Sequence, residues 1–142
     1  MSNPLVAFVD SDVVISSLIS PSGAAYFLLH QSNLKLFISD ISYKEMCVVI
    51  DRLKLDQSAF DKLIKKDLKL VKLTISLPQI KKKYFEFVSD PNDAHIVAGA
   101  EATKGKFLIS YNLKHFKIDK IKSDLGIILT TPARFLQYLR ST

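Results

Sequence analysis

Residues Leu5 to Val9 read Leu-Val-Ala-Phe-Val, an unbroken apolar run that stops at Asp10-Ser11-Asp12. A strand buried on one face alternates apolar and polar residues; one buried on both faces does not. The run therefore predicts an interior strand of a parallel sheet, covered above and below by helices. Its end delivers two carboxylates to the carboxyl edge of the sheet, where open α/β folds bind their ligands. The rest of the chain keeps the same rhythm, short apolar runs alternating with amphipathic stretches, which defines an α/β class.

The spacing predicts strands over Leu5–Val9, Leu34–Ser39, Leu70–Ile75, Lys106–Ser110 and Gly126–Leu129. Helices are predicted over Asp12 to about Ser20, Ala24 to about Ser32, Ile41–Leu53, Ser58 to about Leu68, and about Pro91 to Thr103. Ser20-Pro21-Ser22-Gly23 breaks the first pair, and Thr131-Pro132 opens a last helix. Pro78 to Val88 reads equally as helix or extended chain. Helices between neighbouring strands imply parallel pairing and right-handed crossovers.

At 142 residues, 48% of them hydrophobic, the chain is expected to be one domain with a real core. No apolar run approaches a membrane span. The lone Cys47 excludes an intramolecular disulfide and a cysteine-based zinc cluster, and these features together predict a cytoplasmic protein. The net charge of +6 suits a polyanionic partner, above all nucleic acid, although a lysine-rich surface is also an ordinary solvated face.

Three acids stand out by position. Asp10 ends the first strand. Glu45 lies in the third predicted helix with Ile41 and Val49 four residues to either side, on its own apolar face. Asp93 opens a helix three and four residues before Ile96 and Val97. Like charges on inward faces repel and are costly to desolvate, and a hard divalent cation relieves both problems. Each acid also has a purely structural use. Asp10 or Asp12 suits a helix cap, Glu45 follows Ser42 at capping-box spacing, and Asp93 answers a helix dipole. Past the fourth strand, Ser110 and Asn112 offer uncharged groups to orient water or phosphate, or an ordinary Asx turn. Lys114, Lys117, Lys120 and Lys122 suit backbone phosphates or a solvated loop. His95 stands two residues after Asp93, so helical geometry predicts that it faces away; His30 and His115 read as surface or packing residues. Tyr84, Phe85 and Phe87 suit core packing better than base stacking.

These blocks resemble a known family. The run FVDSDVVISSLISPSG is similar to the opening of PIN domains, particularly the branch of VapC-type toxins from toxin–antitoxin pairs. SDISYKEMCVVIDRL resembles that family's second block, DPNDAHIVAGAEATKGKFLISYNLKHF its third and fourth, and TPARFLQYL its last helix. The resemblance implies a three-layer α/β/α sandwich around a mainly parallel five-stranded sheet. It also implies a Mg²⁺- or Mn²⁺-dependent ribonuclease whose metal is held by Asp10, Glu45 and Asp93. Asn112 completes the catalytic set, with Asp12 and Ser110 as auxiliary residues. RNA is the implied substrate, with an antitoxin protein and a second copy of the chain as partners. Two departures stand out: Asp12 occupies a place where the family prefers Asn, and Asn112 replaces a fourth Asp found in many members. Two other readings compete. One is a metal-free RNA- or protein-binding module on the same scaffold. The other is a haloacid-dehalogenase-type phosphatase with Asp10 as nucleophile, which usually needs a longer chain and a late acidic pair.

Overall fold

In the computed structural model, which describes residues 4–141, five strands form one sheet. They are β1 (Leu5–Val9), β2 (Leu34–Ser39), β3 (Leu68–Val71), β4 (Phe107–Ile109) and β5 (Ile128–Thr130). All pairs are parallel, in the order β3-β2-β1-β4-β5. Eight helices surround the sheet among the described residues. They are α1 (Ser11–Ile19), α2 (Ala24–Leu29), α3 (Asp40–Leu53), α4 (Gln57–Lys62), α5 (Leu77–Tyr84), α6 (Ala94–Ala102), α7 (Ile118–Leu125) and α8 (Pro132–Arg140).

The alternation along β1 divides the core. Ala7 and Val9 point to one face, with Leu36, Ile38, Phe107 and Ile109 from the neighbouring strands. They pack on Val13, Leu28, Met46 and Phe135 of α1, α2, α3 and α8. Phe8, Leu108 and Leu129 point to the other face, against Ile80, Ile96 and Ile121 of α5, α6 and α7. Two buried faces leave no polar side of β1, so its sequence is apolar throughout and the molecule is the expected three-layer sandwich.

The chain runs outward from β1 through β2 to β3, then returns to β4 on the other side of β1. The connections therefore leave β1 and β4 in opposite directions, which opens a crevice between their carboxyl ends.

Several boundaries differ from expectation. The fourth helix ends at Lys62, and Leu63–Asp67 widens into a π turn. That turn brings Leu68, rather than Leu70, into register with Leu36, so β3 lies two residues earlier and ends at Val71. The start expected for β5 belongs instead to a helix cap: Gly126 has φ +69° and ends α7, and β5 begins at Ile128. Of the lysines expected on a loop, Lys120 and Lys122 lie in α7, which buries Ile121, whereas Lys114 sits in a 3₁₀ turn and Lys117 precedes the helix. The ambiguous stretch is α5, opened by a reciprocal Ser76/Gln79 capping box, then a 3₁₀ turn over Phe85–Phe87. Tyr84 and Phe87 enter the second core, while Phe85 is exposed.

Helix α6 lies so close to β1 that a Cβ on Gly99 would stand 2.4 Å from Cζ of the Phe8 ring, which is itself fully buried. Gly99→Ala is therefore expected to lose about 1–2 kcal/mol in urea unfolding, the overpacking strain exceeding the helix-propensity gain of an alanine. An unchanged or raised midpoint would show that the ring has room to yield.

Candidate functional site

Because every strand is parallel, Asp10, Ser110 and Thr131 follow their strands onto the same edge. The Asp10 backbone N–H donates to the Ile109 carbonyl at 2.9 Å, and that of Ser110 to the Thr130 carbonyl at 3.0 Å, so the ladder continues past the strand ends. Asp10 occupies the N-cap position of α1, yet its side chain makes no cap bond. Its Oδ2 instead accepts the Ser110 hydroxyl at 2.8 Å.

Ser110 is completely buried and acts as the pivot of the crevice. Its Oγ also lies 3.4 Å from Asp12 Oδ2 and accepts the Asn112 backbone N–H at 3.0 Å. One hydroxyl proton serves both acids, and the shorter contact to Asp10 is the stronger. Asp12 does not cap α1 either. Its Oδ2 accepts the Tyr111 N–H at 3.1 Å, which braces the loop after β4, and its Oδ1 is buried without a partner among the described residues.

The other two acids arrive from opposite layers. Glu45, on α3, is exposed, and its Oε1 lies 3.0 Å from Nε2 of His95 on α6. Asp93, half-buried at the start of α6, has Oδ2 3.4 Å from Nδ1 of His115. His95 therefore does not face away from the acids as expected. Asp93 ends a 3₁₀ turn (Pro91–Asp93) with φ −89° and ψ −3°, so α-helical spacing does not relate it to His95. A signal for this was present: α6 is buried around its whole circumference, and an imidazole there requires a polar partner. His95 Nδ1 has no partner among the described residues. His115, expected as a surface or packing residue, is likewise drawn to an acid.

The acids share one electrostatic field. Burial pushes the Asp10 carboxyl up to about 7, the charges of Asp12 and Asp93 add to this, and hydrogen bonds from Ser110 and the Ser11 backbone oppose it. Burial also raises Asp12 against hydrogen bonds from Tyr111 and Ser110. Asp93 is raised by burial and by the charges of Asp90 and Glu45, and lowered by His115 and His95. Asp10 thus senses Asp93, and Asp93 senses Glu45. Among the described residues, no group of three carboxylate, imidazole or thiolate side chains is arranged to hold a metal ion. The fit to a hard divalent cation lies in donor chemistry: oxygen ligands, an unmatched Asp12 Oδ1, and a buried carboxyl whose ionisation is resisted.

The remaining predicted residues separate. Asn112 and Lys114 line a concavity of 390 Å³ beside the acids, together with Tyr111, His115, Thr131 and Arg134. Lys117 stands exposed at the start of α7, its backbone N–H bonded to the Phe87 carbonyl at 2.9 Å, and is not part of that lining. Arg134 is a residue that the sequence reading did not single out.

The chain belongs to the PIN domain family, whose model matches residues 6–114, and its all-parallel sheet with Asp10 at the topological switch agrees with that class. Among solved structures it is similar to a toxin–antitoxin complex from Klebsiella pneumoniae, at 21% identity and a TM-score of 0.63, covering 89% of this chain and 97% of that one. It is also similar to VapBC2 from Rickettsia felis bound to a DNA fragment from their promoter, at 14% identity and a TM-score of 0.61, covering 89% and 98%. A third similar structure is FitAB bound to an IR36 DNA fragment, at 14% identity and a TM-score of 0.56, covering 89% and 94%. At these identities the likeness establishes the fold. No curated protein matches the chain.

A carboxyl raised by folding favours the neutral form. Its stabilising contribution is full below the ordinary carboxyl range and is lost as pH rises through about 7. In EDTA, the melting temperature of Asp10→Asn relative to the unsubstituted protein is expected to rise by about 5 °C between pH 5 and pH 8. A difference constant across that range would contradict the buried, resisted carboxylate.

Proposed function

We propose that this chain is a metal-dependent ribonuclease, the toxin of a toxin–antitoxin pair. Membership of the PIN domain family implies nuclease-type hydrolysis. The observation that carries the reading to this chain's own residues is the Asp10 carboxyl. It is buried at the switch point, bonded to Ser110 and held up to about 7 in the field of Asp12 and Asp93. Such a group is costly unless a cation shares its charge.

In this reading Asp10, Glu45 and Asp93 hold Mg²⁺ or Mn²⁺, whose positive charge offsets charge building on a phosphate and makes water a better nucleophile. Ser110 fixes the Asp10 carboxylate by its 2.8 Å bond, and Asp12, through Tyr111, keeps the β4 loop against the crevice. His95 restrains the exposed Glu45 side chain from a buried ring. His115 stands beside Asp93 and restrains its carboxylate. Asn112, exposed just past the pivot serine, orients water or a phosphate oxygen. Lys114 meets the strand at the rim, and Lys117, further along, meets it outside the concavity.

RNA as the substrate rests on the family resemblance and on the net charge of +6. An antitoxin partner is supported by the similarity to the toxin–antitoxin complex from Klebsiella pneumoniae. A homodimer and action in the cytoplasm as one PIN-like unit belong to the same proposal. Among the described residues no helix is long and apolar enough to cross a membrane.

The test compares cleavage of mixed RNA and single-stranded DNA with Mn²⁺, Mg²⁺ or EDTA, using Asp93→Asn and Glu45→Gln. The expected outcome is RNA cleavage that needs the metal and falls by about 100-fold or more in either variant. Cleavage that survives Asp93→Asn unaltered would remove the metal-site assignment. Absence of Mn²⁺ binding in calorimetry, with RNA binding intact, would make the chain a binding module instead.

A further inference from the structure

The acidic edge that suits a cation repels the polymer it is proposed to cut. Four carboxylates, Asp10, Asp12, Glu45 and Asp93, face an RNA strand whose every linkage is anionic. A strand held only through a metal ion would have nothing to fix its neighbouring nucleotides. The concavity beside the acids supplies the opposite charge. It is 390 Å³ in volume, and its walls carry Lys114 from the loop after β4 and Arg134 from the first turn of α8. Neither cation forms an ion pair among the described residues. Both are exposed, so both are available to a ligand.

The concavity shares its walls with the acidic crevice. His115 lines it and reaches Asp93 Oδ2 at 3.4 Å. Asn112 lines it too, and its backbone N–H donates to the same Ser110 Oγ that bonds Asp10. Thr131 caps α8 by accepting the Arg134 N–H at 3.3 Å, so the positive end of that helix opens on the same space. Tyr111, 42% exposed, also lines it, and its backbone N–H is bonded to Asp12 Oδ2. A guanidinium, an ammonium and an aromatic ring around one hollow match a nucleotide: two cations for the phosphate and a ring for the base.

We propose that this concavity receives the nucleotide next to the cleaved linkage, with Arg134 and Lys114 on its phosphate and Tyr111 stacked on its base. The proposal rests on the ribonuclease reading for which linkage is cut, and on the cleft's own chemistry for what binds. It makes Arg134 a substrate-binding residue that tightens association and leaves the chemical step unchanged.

The experiment measures binding of a fluorescent 12-nucleotide single-stranded RNA by anisotropy in EDTA at several salt concentrations. The protein is compared with Arg134→Ala, Arg134→Lys, Tyr111→Ala and Tyr111→Phe. Lys65→Ala, an exposed charge at the opposite edge of the sheet, is the control. Arg134→Ala is expected to weaken binding about tenfold and to reduce the salt slope by about 0.7, with Arg134→Lys partly restoring both. Tyr111→Ala should weaken binding comparably and Tyr111→Phe should not. In Mn²⁺ the Arg134→Ala loss should fall on KM, with kcat within about twofold. Equal affinities for Arg134→Ala and Lys65→Ala would overturn the cleft, even where Mn²⁺-dependent cleavage by the unsubstituted protein upholds the ribonuclease reading. Conversely, loss of RNA binding in Arg134→Ala by a protein that cleaves nothing would support the cleft and remove the ribonuclease. Unchanged RNA affinity with lost binding to a poly-glutamate peptide would also overturn it, turning the surface toward a protein partner.

Discussion

A strand covered on both faces can carry charge only at its ends, and this constraint organises the molecule. Ala7, Phe8 and Val9 have no exposed surface at all, so the first polar group that β1 can offer is the Asp10 carboxyl. Parallel pairing with β2 and β4 then brings Ser110 to the same level. The 2.8 Å bond between them closes the edge of the sheet at the point where the chain reverses its direction of travel. The other two acids, Glu45 and Asp93, are carried by the two helical layers. Close packing of Gly99 on Phe8 positions α6, and with it Asp93 and His95. Packing of Met46 and Ile50 in the first core positions α3, and with it Glu45.

Bringing like charges together is unfavourable, and the protein moderates the repulsion in different ways. Asp10 is held against it by a hydroxyl, Asp12 by a backbone amide, and Glu45 and Asp93 by one imidazole each. Each carboxylate is paired with a different donor, and among the described residues Lys114 and Arg134, on the adjacent surface, form no ion pair. The loop from Ser110 to His115 links the two surfaces: Ser110 bonds Asp10, and Lys114 lines the concavity with Arg134.

Much of this was legible before any coordinates. Five apolar residues followed by Asp10 specified a central parallel strand and an acidic edge, because only one environment tolerates that pattern. The flanking positions of Ile41 and Val49 placed Glu45 on the correct helix, though its side chain emerges exposed over the edge. What was missed depended on local geometry. The π turn at Leu63–Asp67 and the 3₁₀ turn at Pro91–Asp93 break the α-helical count, so the start of β3 and the direction of His95 were misjudged. Two signals were present and underused. Ser76 and Gln79 stand at capping-box spacing before the ambiguous segment, and Ile118, Ile121 and Leu125 carry helical spacing into the fixed turn at Gly126. Arg134 could not be found from local pattern, because its neighbours in the hollow come from a loop twenty residues earlier in the chain.

The proposed site has Asp10, Glu45 and Asp93 on one divalent cation. Crystals grown with MnCl₂ and measured at the manganese absorption edge test it directly. The expected result is an anomalous peak with carboxylate oxygens of Asp10 and Asp93 at about 2.1–2.2 Å, Glu45 directly or through water, and the peak gone in Asp10→Asn. A peak elsewhere on the surface, or none at saturating manganese, would contradict it.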